Sequence, residues 1–192
     1  MAERLEFETG RLILRQWRAA DRVPLASLNA DPRVMEFFPS PLTRAQSDLM
    51  ADRCQSFVQE RGWGPWAVES KETHELVGVV GLHVPSEALP FSPCVEILWR
   101  LAFHHWGKGF ASEAATEALR IGFQIFKLRE IVSFAVVQNR RSRAVMERLG
   151  MQACGTFDHP ALPPDSDLRL HCLYRLARQC WHRRGRTGFV DG

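Results

Sequence analysis

Apolar and polar residues alternate through RLILRQW (Arg11–Trp17), which predicts an opening half-buried strand. AADRVPLASLNADPRVMEFF then reads as a short helix, a break at Asp31-Pro32 and a turn carrying Phe37 and Phe38, after which Pro39 and Pro41 forbid regular structure. Thr43 with Gln46 three residues on has the form of a capping box. From there to Arg61, the apolar positions Ala45, Leu49, Met50, Phe57 and Val58 recur at helical spacing. PWAVESK, ELVGVVGLHV and CVEILWRLAF follow as strands with short or Pro-rich links, the pattern of an antiparallel meander. After Gly109 the period changes. Ala111, Ala114, Ala115, Ala118, Leu119, Gly122, Phe123, Ile125 and Phe126 form one stripe of a long helix, with small residues in its first two turns. EIVSFAVV is a buried strand, SRAVMERLG a second helix stopping at the C-cap Gly150, and MQACGTF and LRLHCLYRL are the closing strands.

A strand, a helix and a further strand across Cys94–Val137 require a right-handed crossover between parallel strands. The sequence therefore predicts an α/β (α+β) domain with a mixed, mostly antiparallel sheet. Hydrophobic residues make up 45% and charged residues 24% of the 192 positions, enough to fill one full-sized core. No apolar run approaches the ~18–20 residues of a membrane helix. MAERLEFETG has acidic residues and no apolar centre, so no signal peptide is expected and the protein is read as cytoplasmic.

The net charge of +3 is concentrated at one end, where Arg178, Arg183, Arg184 and Arg186 crowd RQCWHRRGRTG. A nucleic-acid binder spreads such charge over a folded face. Residues 178–192 are accordingly expected to be a flexible, solvated basic tail on a domain spanning 1–177, and nucleic acid and membrane are disfavoured as partners. Five cysteines lack any C-x-x-C spacing, and neither His171-Cys172 nor Cys180/His182 has a matching second pair, so reduced thiols and no metal site are expected.

The candidate chemistry sits in HHWGKGFASEA (His104–Ala114). A P-loop requires a glycine further upstream and a hydroxyl after the lysine, but Gly109 and Phe110 follow Lys108. A dinucleotide fingerprint requires a third glycine, where Ser112 stands. What is left is physical: Gly107 and Gly109 permit close approach of backbone amides, at a helix start whose first N–H groups lack partners and whose dipole favours an anion. A pyrophosphate suits that place. A tight strand-to-helix turn without a ligand accounts for the glycines equally well.

Longer stretches carry a resemblance. TGRLILRQWRAADRVPLASLNADPRVMEFFP resembles the opening of the RimJ/RimL-type branch of the GNAT superfamily of N-acetyltransferases. VEILWRLAFHHWGKGFASEA is similar to that superfamily's acetyl-CoA motif, Q/R-x-x-G-x-G/A, and NRRSRAVMERLGM to the branch's N-x-x-S-x-x-x-x-E-K-L-G-F segment. The matches run in order over roughly residues 9–157. His104 departs from the usual Gln or Arg, Arg148 from Lys and Met151 from Phe.

The resemblance implies a GNAT fold with a V-shaped splay between two central parallel strands and helices on both faces. It implies acetyl-CoA as co-substrate, without a metal. Leu101 and Phe103 would offer backbone groups to the pantetheine. His104, Trp106, Gly107, Lys108, Gly109, Phe110 and Ala111 would hold the pyrophosphate, mostly through main-chain N–H groups. Asn139 would bind the pantetheine arm, or simply end its strand. Ser142, in the first turn of the following helix, would stabilise the leaving thiolate or protonate it, unless it is an ordinary helix-start hydroxyl.

Glu96, on the strand leading to the glycine turn, is the candidate base through a water; the alternative is a salt bridge to a neighbouring arginine. Glu36, Phe37, Phe38, Trp63 and Trp66 fall in segments that line the acceptor side in relatives, although aromatic residues are also core builders. The expected activity is transfer of an acetyl group to a primary amine, leaning to a protein or peptide N-terminal α-amine, by a monomer or homodimer. A small-molecule acceptor such as a polyamine, amino acid or aminoglycoside, a non-catalytic CoA-binding regulatory module, and a nucleic-acid binder using the basic tail stand as alternatives.

Overall fold

The structure is a computed structural model and describes residues 6–187. It divides into two compact units: the chain up to His83 together with Ile97–Ala118, and Val84–Glu96 together with the chain from Leu119 onward.

The first unit is built on strands β1 (Phe7–Glu8), β2 (Leu12–Arg15), β3 (Pro65–Ser70), β4 (Leu76–His83) and β5 (Glu96–Leu101), neighbours in that order. The first four pair antiparallel, which includes β3 with β4 of the predicted meander, while the two-residue β1 is too short to show a period. Helices α1 (Arg22–Ala30) and α2 (Arg44–Arg61) connect β2 to β3. The predicted capping box of α2 is present: Thr43 accepts from Gln46 N–H, and the Gln46 side chain accepts from Thr43 N–H at 2.8 Å. The core between these elements contains Trp17, Leu25, Ala51, Cys54, Ala67, Leu76 and Val79.

Below that core lies a buried ion cluster. Arg15 donates to both carboxylate oxygens of Asp21 at 2.7 and 2.8 Å and to Glu69 at 2.6 Å. All three residues are buried. Burial opposes the Arg15 charge, but the bonds to Asp21 and Glu69 more than offset it and hold its pKa above the ordinary value.

Helix α3 (Phe110–Arg120) runs on into a single π-helical turn, Ile121–Ile125, where Phe126 N–H donates to Ile121 carbonyl at 3.1 Å. Ala114, Ala115, Ala118 and Leu119 are buried, as the stripe required. The π turn inserts one residue and rotates the face that follows. Ile121, at its start, is still buried, and Ile125, assigned to the stripe from sequence, is 42% exposed.

In the second unit, β6 (Glu130–Val136), β8 (Leu170–Ala177) and β7 (Gln152–Asp158) are adjacent and antiparallel, and α4 (Arg140–Arg148) leads from β6 to β7. The predicted parallel pairing is present: Glu96 lies opposite Val132, and Val132 N–H donates to Val95 carbonyl at 2.9 Å. The architecture is thus α/β with a mixed, mostly antiparallel sheet.

Part of the segment expected to be a basic tail has regular structure. Arg178–Thr187 forms helix α5, with Trp181 packed on Phe123 at 5.8 Å between ring centroids. Residues 188–192 of that tail lie outside the described residues. Among the described residues, no helix is long and apolar enough to cross a membrane.

Candidate active site

The glycine turn belongs to the first unit. A single 3-10 turn, Phe103–His105, follows β5, and the chain then enters α3 through Trp106–Gly109. Gly107 and Gly109 have φ of +74° and +80°, a left-handed conformation that strains residues with a Cβ. A Cβ on Gly107 would meet nothing within 4 Å, and one on Gly109 only Arg11 Nη2, at 3.5 Å. Conformation, not crowding by the protein, requires these glycines, and their exposed side is open.

The turn is held from one side by residues that no local motif announces. Arg11 Nη1 donates to Lys108 carbonyl at 3.0 Å, Arg11 Nε donates to Glu113 Oε2 at 2.7 Å, and the guanidinium lies 4.7 Å from the Phe110 ring centre. Glu113 Oε1 also accepts from Arg11 N–H at 2.9 Å and from the Thr9 hydroxyl at 2.5 Å. Burial works against the Glu113 carboxylate, but these donors outweigh it and lower its pKa.

Leu101 and Phe103 carbonyls are already engaged inside the chain. Trp106 Nε1 donates to Leu101 carbonyl at 2.9 Å, and Trp106 N–H donates to Phe103 carbonyl at 3.0 Å. Trp106 and Ala102 rest on Leu28, Val34 and Met35. The exposed Phe103 ring carries the Arg33 guanidinium at 3.8 Å. His104 and Lys108 are exposed.

His105, by contrast, is 4% exposed, and neither ring nitrogen has a hydrogen-bond partner. Its pKa is lowered first by burial and then by the His104 and Lys108 charges, with Glu75 opposing. One ligand-type atom from each of Glu75, His104 and His105 lies within 4.8 Å of the others, a set that the sequence spacing did not foreshadow.

The predicted acceptor residues do not behave alike. Glu36 and Phe38 are exposed and Phe37 is half-buried, all in the turn after α1. The Phe38 ring centre lies 4.1 Å from the Arg100 guanidinium carbon. Trp63 is half-buried beside Arg61, at 5.9 Å. Trp66 is fully buried on β3, with its ring edge-on to Phe7 at 5.8 Å, and presents no surface to a solute. An inward position on a strand with both faces covered explains this placement.

The second unit holds the remaining predicted residues. Glu96 opens β5 and is half-buried. Asn139 is the N-cap of α4, and its Oδ1 accepts from Ser142 N–H at 3.1 Å. Asn139 therefore caps α4 where β6 ends, with its Oδ1 committed to Ser142 N–H. Ser142 is half-buried at the third position of α4, and Met146, one turn on, is buried. The chain's single tyrosine, Tyr174, donates instead to Glu147 Oε1 at 3.0 Å.

The acetyltransferase (GNAT) domain family matches residues 11–152, well over half of the chain and the span containing both the glycine turn and the Asn139 cap. The chain belongs to the GNAT acetyltransferase family. It is similar to the FsC-acetyl coenzyme A-N(2)-transacetylase of Aspergillus fumigatus, with 30% identity over 81% of this chain and 69% of that one. Its fold is that of an acetyltransferase (GNAT family) from Bacillus anthracis, at a TM-score of 0.76 and 24% identity over 91% of this chain and 99% of that one. A ribosomal-protein-S5-alanine acetyltransferase from Vibrio fischeri has the same fold, at a TM-score of 0.72 and 18% identity over 92% of this chain and 98% of that one. The GNAT chain is thus an acyltransferase, and acetyltransferases of this family use acetyl-CoA as co-substrate.

Proposed function

We propose that this protein acetylates a primary α-amine, with acetyl-CoA held at the His104–Ala111 turn. The observation that carries the reading is the pair of left-handed glycines at the start of α3, open on one side and held on the other by Arg11. Amides at such a helix start suit a pyrophosphate. The Asn139 cap supplies a fixed amide for the pantetheine, and Ser142 beside it a hydroxyl for the thiolate.

In the reaction, the neutral amine nitrogen attacks the thioester carbonyl carbon, forming the C–N bond. The tetrahedral intermediate then breaks its C–S bond. The nitrogen loses a proton, for which Glu96 is the assigned acceptor through a water, and the departing thiolate gains one. Thiols have pKa values near ~8.5, so that departure needs little assistance.

The acceptor preference follows from the same scale. Neutralising an α-amine with pKa ~7.7–8.0 costs about 1 kcal/mol at pH 7, whereas a lysine at ~10.4 costs nearly 5. A base acting through water matches the easier task. The segments Thr9–Pro39 and Asn139–Met151, which resemble the RimJ/RimL-type branch, support a protein or peptide N-terminus as the source of that amine. Five unpaired cysteines fit a reducing compartment, the cytoplasm.

The test is a kinetic comparison of matched peptides. One has a free α-amine and no lysine; the other has a blocked α-amine and one lysine. The reading expects acetylation of the first at a kcat/KM at least tenfold higher. Preference for the lysine peptide would contradict it.

A further inference from the structure

Arg100 is a cation without an anion. Its Nη1 donates to Asn29 Oδ1 at 2.7 Å and lies 3.6 Å from Met50 Sδ, both neutral. Nε is buried with no partner, and Nη2 makes no hydrogen bond to any described residue. No Asp or Glu of the described residues pairs with it. The nearby Cys54 thiol supplies no charge at neutral pH, since burial pushes its pKa up to about 12. Burial accordingly weakens the guanidinium's hold on its proton, to a pKa of about 10.

The contrast within the same unit is informative. Arg15, a buried arginine of the same unit, is matched by two carboxylates. At Arg100 the chain places an amide where a carboxylate would fit, and it orients that amide deliberately. Asn29 is fully buried, and its Nδ2 donates to the Ser47 hydroxyl at 2.9 Å, which turns Oδ1 toward Arg100. An enclosed charge left without a counter-charge is strongly disfavoured unless something else supplies the opposite sign. On one face of the guanidinium lies Phe38, 36% exposed, in the turn where the acceptor is expected. The cation therefore sits beneath an accessible aromatic ring, with its Nη2 donor uncommitted.

We infer that Arg100 receives a carboxylate of the acceptor, so that this acetyltransferase selects amines that carry an acidic group. The inference rests on the acetyl-transfer reading above. It narrows that reading to one chemistry, an α-amine beside a carboxylate, and disfavours polyamines and aminoglycosides, which bring only positive charge to an existing cation. The carboxylate has two sources: the α-carboxylate of a free amino acid or short peptide, or the side chain of an acidic residue near a protein N-terminus.

The experiment measures kcat/KM of the wild-type protein for matched acceptors at saturating acetyl-CoA. Alanine against alaninamide tests the α-carboxylate, and aspartyl-alaninamide against asparaginyl-alaninamide tests the side chain. One of the two pairs is expected to favour the acid by about 10- to 100-fold, the span of one charge-assisted hydrogen bond. In Arg100→Met that ratio is expected to collapse toward one, and Arg100→Lys to restore part of it. A role confined to packing would lower all four rates together and leave the ratio intact, which would overturn the inference. Equal rates for acid and amide in both pairs of the wild type would overturn it too, while leaving acetyl transfer standing. Direct binding gives the same decision without turnover: the wild type is expected to bind N-acetylalanine or N-acetylaspartyl-alaninamide more tightly than its amide counterpart by calorimetry, and equal affinities in both pairs refute the assignment.

Discussion

Arg11 Nη1 donates to the carbonyl of Lys108 at 3.0 Å, joining the start of β2 to the middle of the glycine turn across 97 residues of chain. With Glu113 accepting three further hydrogen bonds from Arg11 and Thr9, the turn is fixed from below while its other side stays open. Arg11 itself is largely exposed, so the pair contributes little to stability. Arg11→Met is therefore expected to raise KM for acetyl-CoA about three- to tenfold with a melting temperature close to wild type. Steady-state kinetics and a thermal melt on the same preparation check both halves.

The turn separates backbone from side-chain recognition. Gly109→Val places a β-branched residue at φ +80°, a conformation costing ~1–3 kcal/mol or more, and brings its Cβ to 3.5 Å from Arg11 Nη2, so both the turn and its brace must shift. Loss of detectable acetyl-CoA binding is expected. Lys108 is exposed and acts as a solvated charge, so Lys108→Ala is expected to weaken binding only about two- to fivefold. Calorimetric titration with acetyl-CoA compares the two, and equal losses would mean that the lysine, not the amides, is the anchor.

Glu96 tests the base assignment. Removing a general base costs about 10²–10⁴-fold in rate. Glu96→Gln is expected to lower kcat at pH 7 by ~10²-fold and to recover partly as pH rises and more of the amine is neutral. A flat ratio of wild-type to variant kcat from pH 7 to 9 would assign deprotonation elsewhere.

Asp21 and Arg15 illustrate a structural charge rather than a functional one. Breaking an enclosed pair by removing one partner costs about 3–5 kcal/mol. Asp21→Ala is expected to destabilise the fold by that amount in urea unfolding, since it leaves Arg15 with Glu69 alone.

Three histidines set an acid limit on stability. His105, His159 and His171 all have pKa values lowered, in each case first by burial. Unfolded imidazoles take up protons as pH falls through ~6.5, whereas the folded ones resist until a lower pH. The unfolded state therefore binds more protons in that window, and stability falls as pH drops below about 6.5. Melting temperature measured from pH 8 to 5 is expected to decline on the acid side, and His171→Phe, inside the cluster with Phe134, Phe157 and His159, is expected to flatten the slope.

Much of this was legible along the chain because the deciding signals are local. The Thr43–Gln46 box, the small-residue face of α3 and the glycines before it each lie within a few residues of what they determine. The departures are non-local. The inward exposure expected of Ile125 failed because a π turn, which carries no composition signal, rotated the helix face. Trp66 could be assigned to core or pocket only once β3 was seen buried on both faces. The clamp on Glu113 is not visible locally, since its partners Thr9 and Arg11 lie more than a hundred residues away. The setting of Arg100 is equally non-local, because sequence does not reveal that Asn29, Met50 and Cys54 would surround it with no carboxylate among them.

The central claim is that the chain moves an acetyl group from coenzyme A to an α-nitrogen. The direct measurement follows free CoA thiol release from acetyl-CoA in the presence of lysine-free acceptors with a single α-amine, the two acid–amide pairs among them, with mass spectrometry of the product. Amine-dependent thiol release, equimolar with acetyl groups located on the α-nitrogen, is expected, together with its loss in Gly109→Val. Thiol release no greater than in the amine-free control for every acceptor, or acetyl groups found on another atom, would contradict it.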